Sequence, residues 1–277
     1  MIKLLLLLWL AMAALMATGW IVQQKAGNGG WTDVFWTFSM GLTGAAGALA
    51  PIGGVAWPTP RQAIVALLFA GWALRLGTYI LIRVRTRPED ARYAKLREAW
   101  GPKSPLMMFG FLQLQALAGV VLLASVVAAA RIADTALTPR DFAGFAILVI
   151  AVLGEAIADA QLRRFGADRV HHGQVCDVGL WSWSRHPNYF FQWFGWLAYP
   201  TIALNVFSPN LWGWVTLTAP AYMYYLLRFV SGVPPLEAHM LASRGEAFRA
   251  YQARVSVFFL LPPRRTAPPS PSVRETP

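Results

Sequence analysis

The chain has little charge, and least of all acid. Only 13% of its 277 residues are charged, and 13 Asp and Glu stand against 24 Lys and Arg. With 56% of residues hydrophobic and a mean hydropathy of +0.44, this scarcity excludes an ordinary soluble domain. Cysteine is nearly missing: Cys176 alone rules out an intramolecular disulfide and a cysteine-cluster metal site, and reads as a small loop residue. Histidine is sparse too. His171 and His172 are adjacent while His186 and His239 are scattered, which is not a ligand spacing, so no metal is expected. There is no Walker-type phosphate loop, and no G-x-G-x-x-G lies between a strand and a helix. Any nucleotide must therefore be gripped by side chains and helix ends. No internal repeat is detectable, which argues against a repeat-built transporter.

What the chain has instead is long apolar runs. Seven, near 3–22, 33–51, 61–82, 106–130, 141–162, 189–207 and 210–230, suit helices crossing a hydrocarbon core of about 30 Å. The first is long for the apolar region of a signal peptide and reads as a retained span. The expected fold is all-α: a single seven-helix membrane domain over 1–262, with a Pro- and Ser-rich tail over 263–277 expected to be disordered. The net charge of +11 comes mostly from arginine, and it is unevenly spread. Residues 83–105 and 163–188 and the C-terminal segment hold most of it. The other side of a seven-span chain has little beyond Lys3, Arg61, Arg131 and Arg140. Positive charge collects on the cytoplasmic side, so the C-terminus is expected inside and the N-terminus outside.

Ionisable groups inside such runs cost several kcal/mol, about 3 on insertion scales, and so mark functional candidates. Arg75 and Tyr79 are four apart and share a helix face with Trp72. That face either presents a phenol beside an anchoring cation, or Arg75 pairs with Glu155 or Asp159 while the aromatics pack. Glu155, Asp159 and Arg163 form a second row at spacings of four. It is either a salt-bridged helix face or a set of acceptors for ribose hydroxyls at a basic mouth. Asp33, between Trp31 and Trp36, either caps a helix start or serves as a carboxylic acid polarising a substrate carbonyl. Arg83, Arg85 and Arg87, at alternate positions, are read as a phosphate clamp or as contacts to anionic lipid headgroups.

From Asp177 onward the strings DVGLWSWSRHPNYFFQWFGW, LLRFVSGVPPLEAHM and GEAFRAYQARVSVFFLLPP resemble the bacterial branch of the steroid 5-alpha-reductase family. WTDVFW and RTRPEDARYAKLREAWG extend the resemblance. It is strongest over 155–262. The RHPNY signature is shared with sterol reductases and isoprenylcysteine carboxyl methyltransferases. The resemblance implies a seven-helix enzyme in the bacterial inner membrane, with NADPH bound from the cytoplasm and hydride passing to the delta-4 double bond of a 3-oxo steroid. It implies a cofactor set of Arg75, Arg83, Arg85, Glu155, Asp159, Arg163, Arg164, Arg185, His186, Asn188, Tyr189, Arg228, Glu237, Tyr251 and Arg254. Asp33, Tyr79 and Trp72 would serve catalysis. The chain departs from the animal enzymes in lacking an adjacent Gln and Glu on the second helix, for which Asp33 is the substitute. Trp72 stands for a tyrosine and Gln192 for an acidic residue. The lipid bilayer and an apolar enone are the implied partners, without nucleic acid or an obligate protein. The competing readings are an S-adenosylmethionine-dependent membrane methyltransferase, whose relatives pair two glutamates where this chain has only Glu237, and a non-catalytic lipid-binding protein.

Overall fold

The computed structural model describes residues 1–132, 134, 136–205 and 211–264, so most of the tail expected over 263–277 lies outside the described residues. It is all-helical, and no strand occurs among the described residues. The helices are α1 (Ile2–Ala26), α2 (Trp31–Ala48), α3 (Pro60–Thr86), α4 (Ala91–Trp100), α5 (Ser104–Ala130), α6 (Pro139–Ala167), α7 (Pro187–Trp196), α8 (Ala198–Ala203), α9 (Leu211–Val215), α10 (Thr218–Tyr225) and α11 (Val233–Arg254). Four helical runs are long and apolar enough to cross a membrane: Ile2–Ala26, Pro60–Thr86, Arg92–Ala130 and Pro139–Ala167. Within the apolar stretches expected as continuous spans over 189–207 and 210–230, the described residues form short helices. Pro200 and Pro220 have no N–H to give the carbonyl four residues back, and the ladder breaks before each.

The chain forms two compact units, one of Met1–Ile150 with Phe194–Met223, the other of Ala151–Trp193 with the described residues from Tyr224 onward. In the first, α2 packs on α1, α3 and α5. Glycine makes this closeness achievable: Gly44 leaves room for the Phe69 ring and Gly41 for the Ala73 methyl. Helix α3 starts where the sequence says it should. Thr59 and Gln62 form a capping box around Pro60 at the first helical position.

The arginines expected on the non-cytoplasmic side all have structural partners. Arg61, 2% exposed, makes a bidentate pair with the fully buried Asp141 at 2.6 and 2.9 Å, and Asp141 also accepts from the Thr138 backbone and hydroxyl. Arg131 donates to the Ala50 and Pro51 carbonyls, and Arg140 to Leu204.

The second unit gathers the aromatic residues of the RHPNY region. Phe190, Trp193, Tyr224 and Phe259 surround the buried Phe258, mostly edge to face at 5.2–6.4 Å between ring centres. Residues 183–185 pair with the segment after α11. Ser184 Oγ donates to the Phe258 carbonyl, Arg185 N–H to Ser256 and Leu261 N–H to Trp183.

Candidate functional site

The second unit holds the denser polar cluster. At its centre Glu237, on α11, accepts hydrogen bonds at both oxygens. Oε1 takes Arg185 Nε at 2.7 Å and His186 Nε2 at 3.0 Å, while Oε2 takes Gln252 Nε2 at 2.8 Å and Arg185 Nη2 at 3.3 Å. Burial alone would raise the Glu237 carboxyl, but the His186 and Arg185 hydrogen bonds, the Arg185 charge and Gln252 outweigh it and hold it down at about 2. Arg185 uses its remaining fork on the Gln252 and Val255 carbonyls. It is therefore a clasp joining the RHPNY stretch to both ends of α11, at a residue the resemblance assigns to the cofactor.

His186 is 2% exposed and lies parallel to the Tyr189 ring, with centroids 5.4 Å apart. Burial keeps its imidazole below the ordinary histidine range. Glu237 opposes that shift, and the Arg185 and Arg228 charges add to it. In the neutral ring Nε2–H donates to Glu237, leaving Nδ1 as an acceptor that has no partner among the described residues.

Two residues on, Asn188 Nδ2 donates to Asp159 Oδ1 at 3.3 Å, and Asn188 Oδ1 accepts the Tyr189 N–H. Asp159 and Glu155, 3% and 5% exposed, lie one turn apart on α6, with Arg163 and Arg164 exposed toward its end. Of the other residues singled out from the sequence, Tyr251 is buried with its hydroxyl donated to the Trp181 carbonyl at 2.6 Å, a structural use. Arg254 pairs with Asp177 at 3.1 Å. Arg228 stands on a π-helical turn, Leu226–Val230, over the Phe229 ring.

In the first unit, Asp33 is neither a helix cap nor an isolated acid. The α2 start has no side-chain cap, and Asp33 instead accepts the Tyr93 hydroxyl at 2.6 Å and Arg92 at 3.2 Å. Arg83 stands 3.9 Å from it on the other side, so Asp33 sits between two cations and the Tyr93 phenol. Arg92 also grips both oxygens of Asp90, the cap of α4. Burial would raise the Asp90 carboxyl, but the Arg92 hydrogen bond and charge bring it below its ordinary value. Arg92, Tyr93 and Asp90 were missed as site residues. The one signal was Asp90 directly after Pro88 and Glu89, an N-cap pattern.

The three-arginine clamp is also corrected. Helix α3 continues to Thr86, and Arg83 in its last turn and Arg87 at its C-cap line one small cleft of about 130 Å³. Arg85 is turned away over the Trp31 ring at 6.0 Å, because alternate positions on a helix do not share a face. Trp72 is buried, stacked on Phe69 at 5.1 Å with Trp196 edge-on. Arg75 lies 5.9 Å from the Tyr79 ring centre.

Helices of this length and apolarity, carrying fixed carboxylates and amides among them, define an all-helical integral membrane protein. The chain belongs to the DUF1295 family, described as "Protein of unknown function", whose model matches residues 19–255. No curated protein and no solved structure matches it.

Proposed function

We propose that the chain is a membrane-embedded, NADPH-dependent reductase acting on the delta-4 double bond of a 3-oxo steroid. The observation that carries this reading is the Asn188 to Asp159 hydrogen bond. These are two of the residues that the reductase resemblance assigns to the cofactor, 29 positions apart in sequence. The relation of the DUF1295 family to the steroid 5-alpha-reductases adds support.

The donor set suits a nicotinamide nucleotide. Asn188 offers an amide, Asp159 and Glu155 offer acceptors for hydroxyls, and the orphaned His186 Nδ1 offers an acceptor for a carboxamide or ribose donor. Arg163, Arg164 and Arg228 would meet its phosphates. When bound, NADPH supplies hydride to the beta carbon of the enone. The chain's own work is to orient the two partners and to stabilise charge growing on the ketone oxygen, a role for which the resemblance offers Asp33 and Tyr79. Trp72 shapes an aromatic wall against which a flat apolar substrate packs. Arg185, Glu237 and Tyr251 act indirectly by fixing the RHPNY stretch.

The chain is further read as crossing the inner membrane seven times, with its C-terminus cytoplasmic. The partners of Arg61, Arg131 and Arg140 favour this, since each has a local structural reason to be where it is.

Binding separates this reading from its rivals. Purified protein is expected to bind NADPH saturably, and Asn188→Ala to weaken that binding about ten-fold, the loss of one hydrogen bond worth about 1.4 kcal/mol. Saturable binding of S-adenosylmethionine without NADPH binding would assign the methyltransferase instead.

A further inference from the structure

The cleft on the first unit has more positive charge than its neighbours can neutralise. Arg92 occupies both oxygens of Asp90 and one of Asp33, and Tyr93 takes the other Asp33 oxygen. Arg83 is left 3.9 Å from Asp33 and 3.6 Å from Asp90, beyond a good hydrogen bond, and donates none among the described residues. Arg87 is exposed and has no partner among the described residues. Three guanidiniums therefore face two carboxylates, leaving an excess of one positive charge and two arginine forks with unused donors. Asn28, whose oxygen accepts the Gly30 N–H at 2.9 Å, adds its amide to the same cleft.

The depth of the cleft narrows the ligand. Its residues follow Ala26, where one candidate span ends, or flank Thr86, where another ends. That level is the boundary between hydrocarbon and headgroups. Trp31 under Arg85, and Trp20 with its indole N–H on the Pro105 carbonyl at 2.9 Å, are the side chains expected at such a boundary.

We propose that this cleft seats the phosphodiester of an anionic phospholipid headgroup, gripped by Arg83 and Arg87 with the Asn28 amide as a further donor. The single negative charge of phosphatidylglycerol matches the single excess positive charge. A choline headgroup would bring its ammonium against the arginines. The inference goes beyond the reductase reading and does not depend on it, and it gives Arg83 a lipid in place of the cofactor phosphate that the resemblance implies.

Native mass spectrometry of the full chain in detergent, offered phosphatidylglycerol and phosphatidylcholine, tests it. Wild-type protein is expected to retain phosphatidylglycerol in preference. The Arg83→Gln/Arg87→Gln double variant loses that retention about ten-fold, about 1.4 kcal/mol. Arg87→Gln alone, at an exposed side chain on which folding does not depend, loses part of it, and Arg169→Gln loses none. Equal retention of the two lipids, or retention unchanged in Arg87→Gln and in the double variant, overturns the proposal. So does displacement of the lipid by NADPH at one-to-one stoichiometry, which would assign the arginines to nucleotide phosphate.

Discussion

Glu237 explains why a histidine and an arginine stand next to each other before Pro187. Both need a carboxylate, and one carboxylate serves both. Removing it strands Arg185 at 11% side-chain exposure and takes the donor's partner from His186. Glu237→Gln is therefore expected to cost about 2 kcal/mol, below the range for a fully buried pair because the site is only partly closed. Denaturant titration in detergent measures it.

The same residues set the acid response. Glu237, held at about 2, stabilises the folded state above its ordinary 4.5, and that contribution fades as pH falls from there toward 2. His186 is held below its ordinary 6.5, so the unfolded chain takes up its proton first and folding weakens as pH falls from 6.5. Both effects have the same sign. Melting temperature is expected to drop in two stages on acidification, with the upper stage missing in His186→Gln. A melting temperature flat from pH 6.5 to 4.5 in the wild type would contradict the assignment.

At the level of helices, composition alone was enough for the long ones. The apolar runs placed near 3–22, 61–82, 106–130 and 141–162 correspond to helices from the four apolar runs, because an uninterrupted apolar sequence of that length has few other ways to satisfy its backbone. The breaks before Pro200 and Pro220 were less legible, since both prolines sit in stretches that read as apolar as the four long helices. The polar clusters were harder still. Asp33 meets Tyr93 across 60 residues and Arg185 meets Glu237 across 52, and a one-dimensional pattern has no signal for such pairs. Arg83, Arg85 and Arg87 read as one group because they alternate in sequence, whereas α3 outlasts its apolar part and carries Arg83 and Arg85 on different faces.

Helix α2 offers a test of its own. Gly44→Ala places a methyl group on the Phe69 ring and is expected to destabilise by about 2 kcal/mol, as overpacking does. Gly53→Ala, where nothing lies within 4 Å, is expected to be nearly silent. Equal effects at the two sites would mean that α2 and α3 are not in close contact.

Over the whole chain, the proposed topology places the arginine-rich segments on one side of the membrane. A reporter fused after Arg264 is expected to show a cytoplasmic C-terminus, and a periplasmic signal would reverse the orientation and with it the cofactor's side. The central claim, that the chain reduces an enone with NADPH, is tested most directly by turnover. Purified protein in detergent is incubated with NADPH and testosterone, following nicotinamide absorbance together with product mass. The account predicts NADPH oxidation matched mole for mole by a product heavier by two hydrogen atoms, slowed about ten-fold in Asn188→Ala at limiting NADPH. If NADPH binds but no 3-oxo-delta-4 steroid yields that product, the steroid assignment is contradicted. If NADPH does not bind at all, the reductase assignment is contradicted with it.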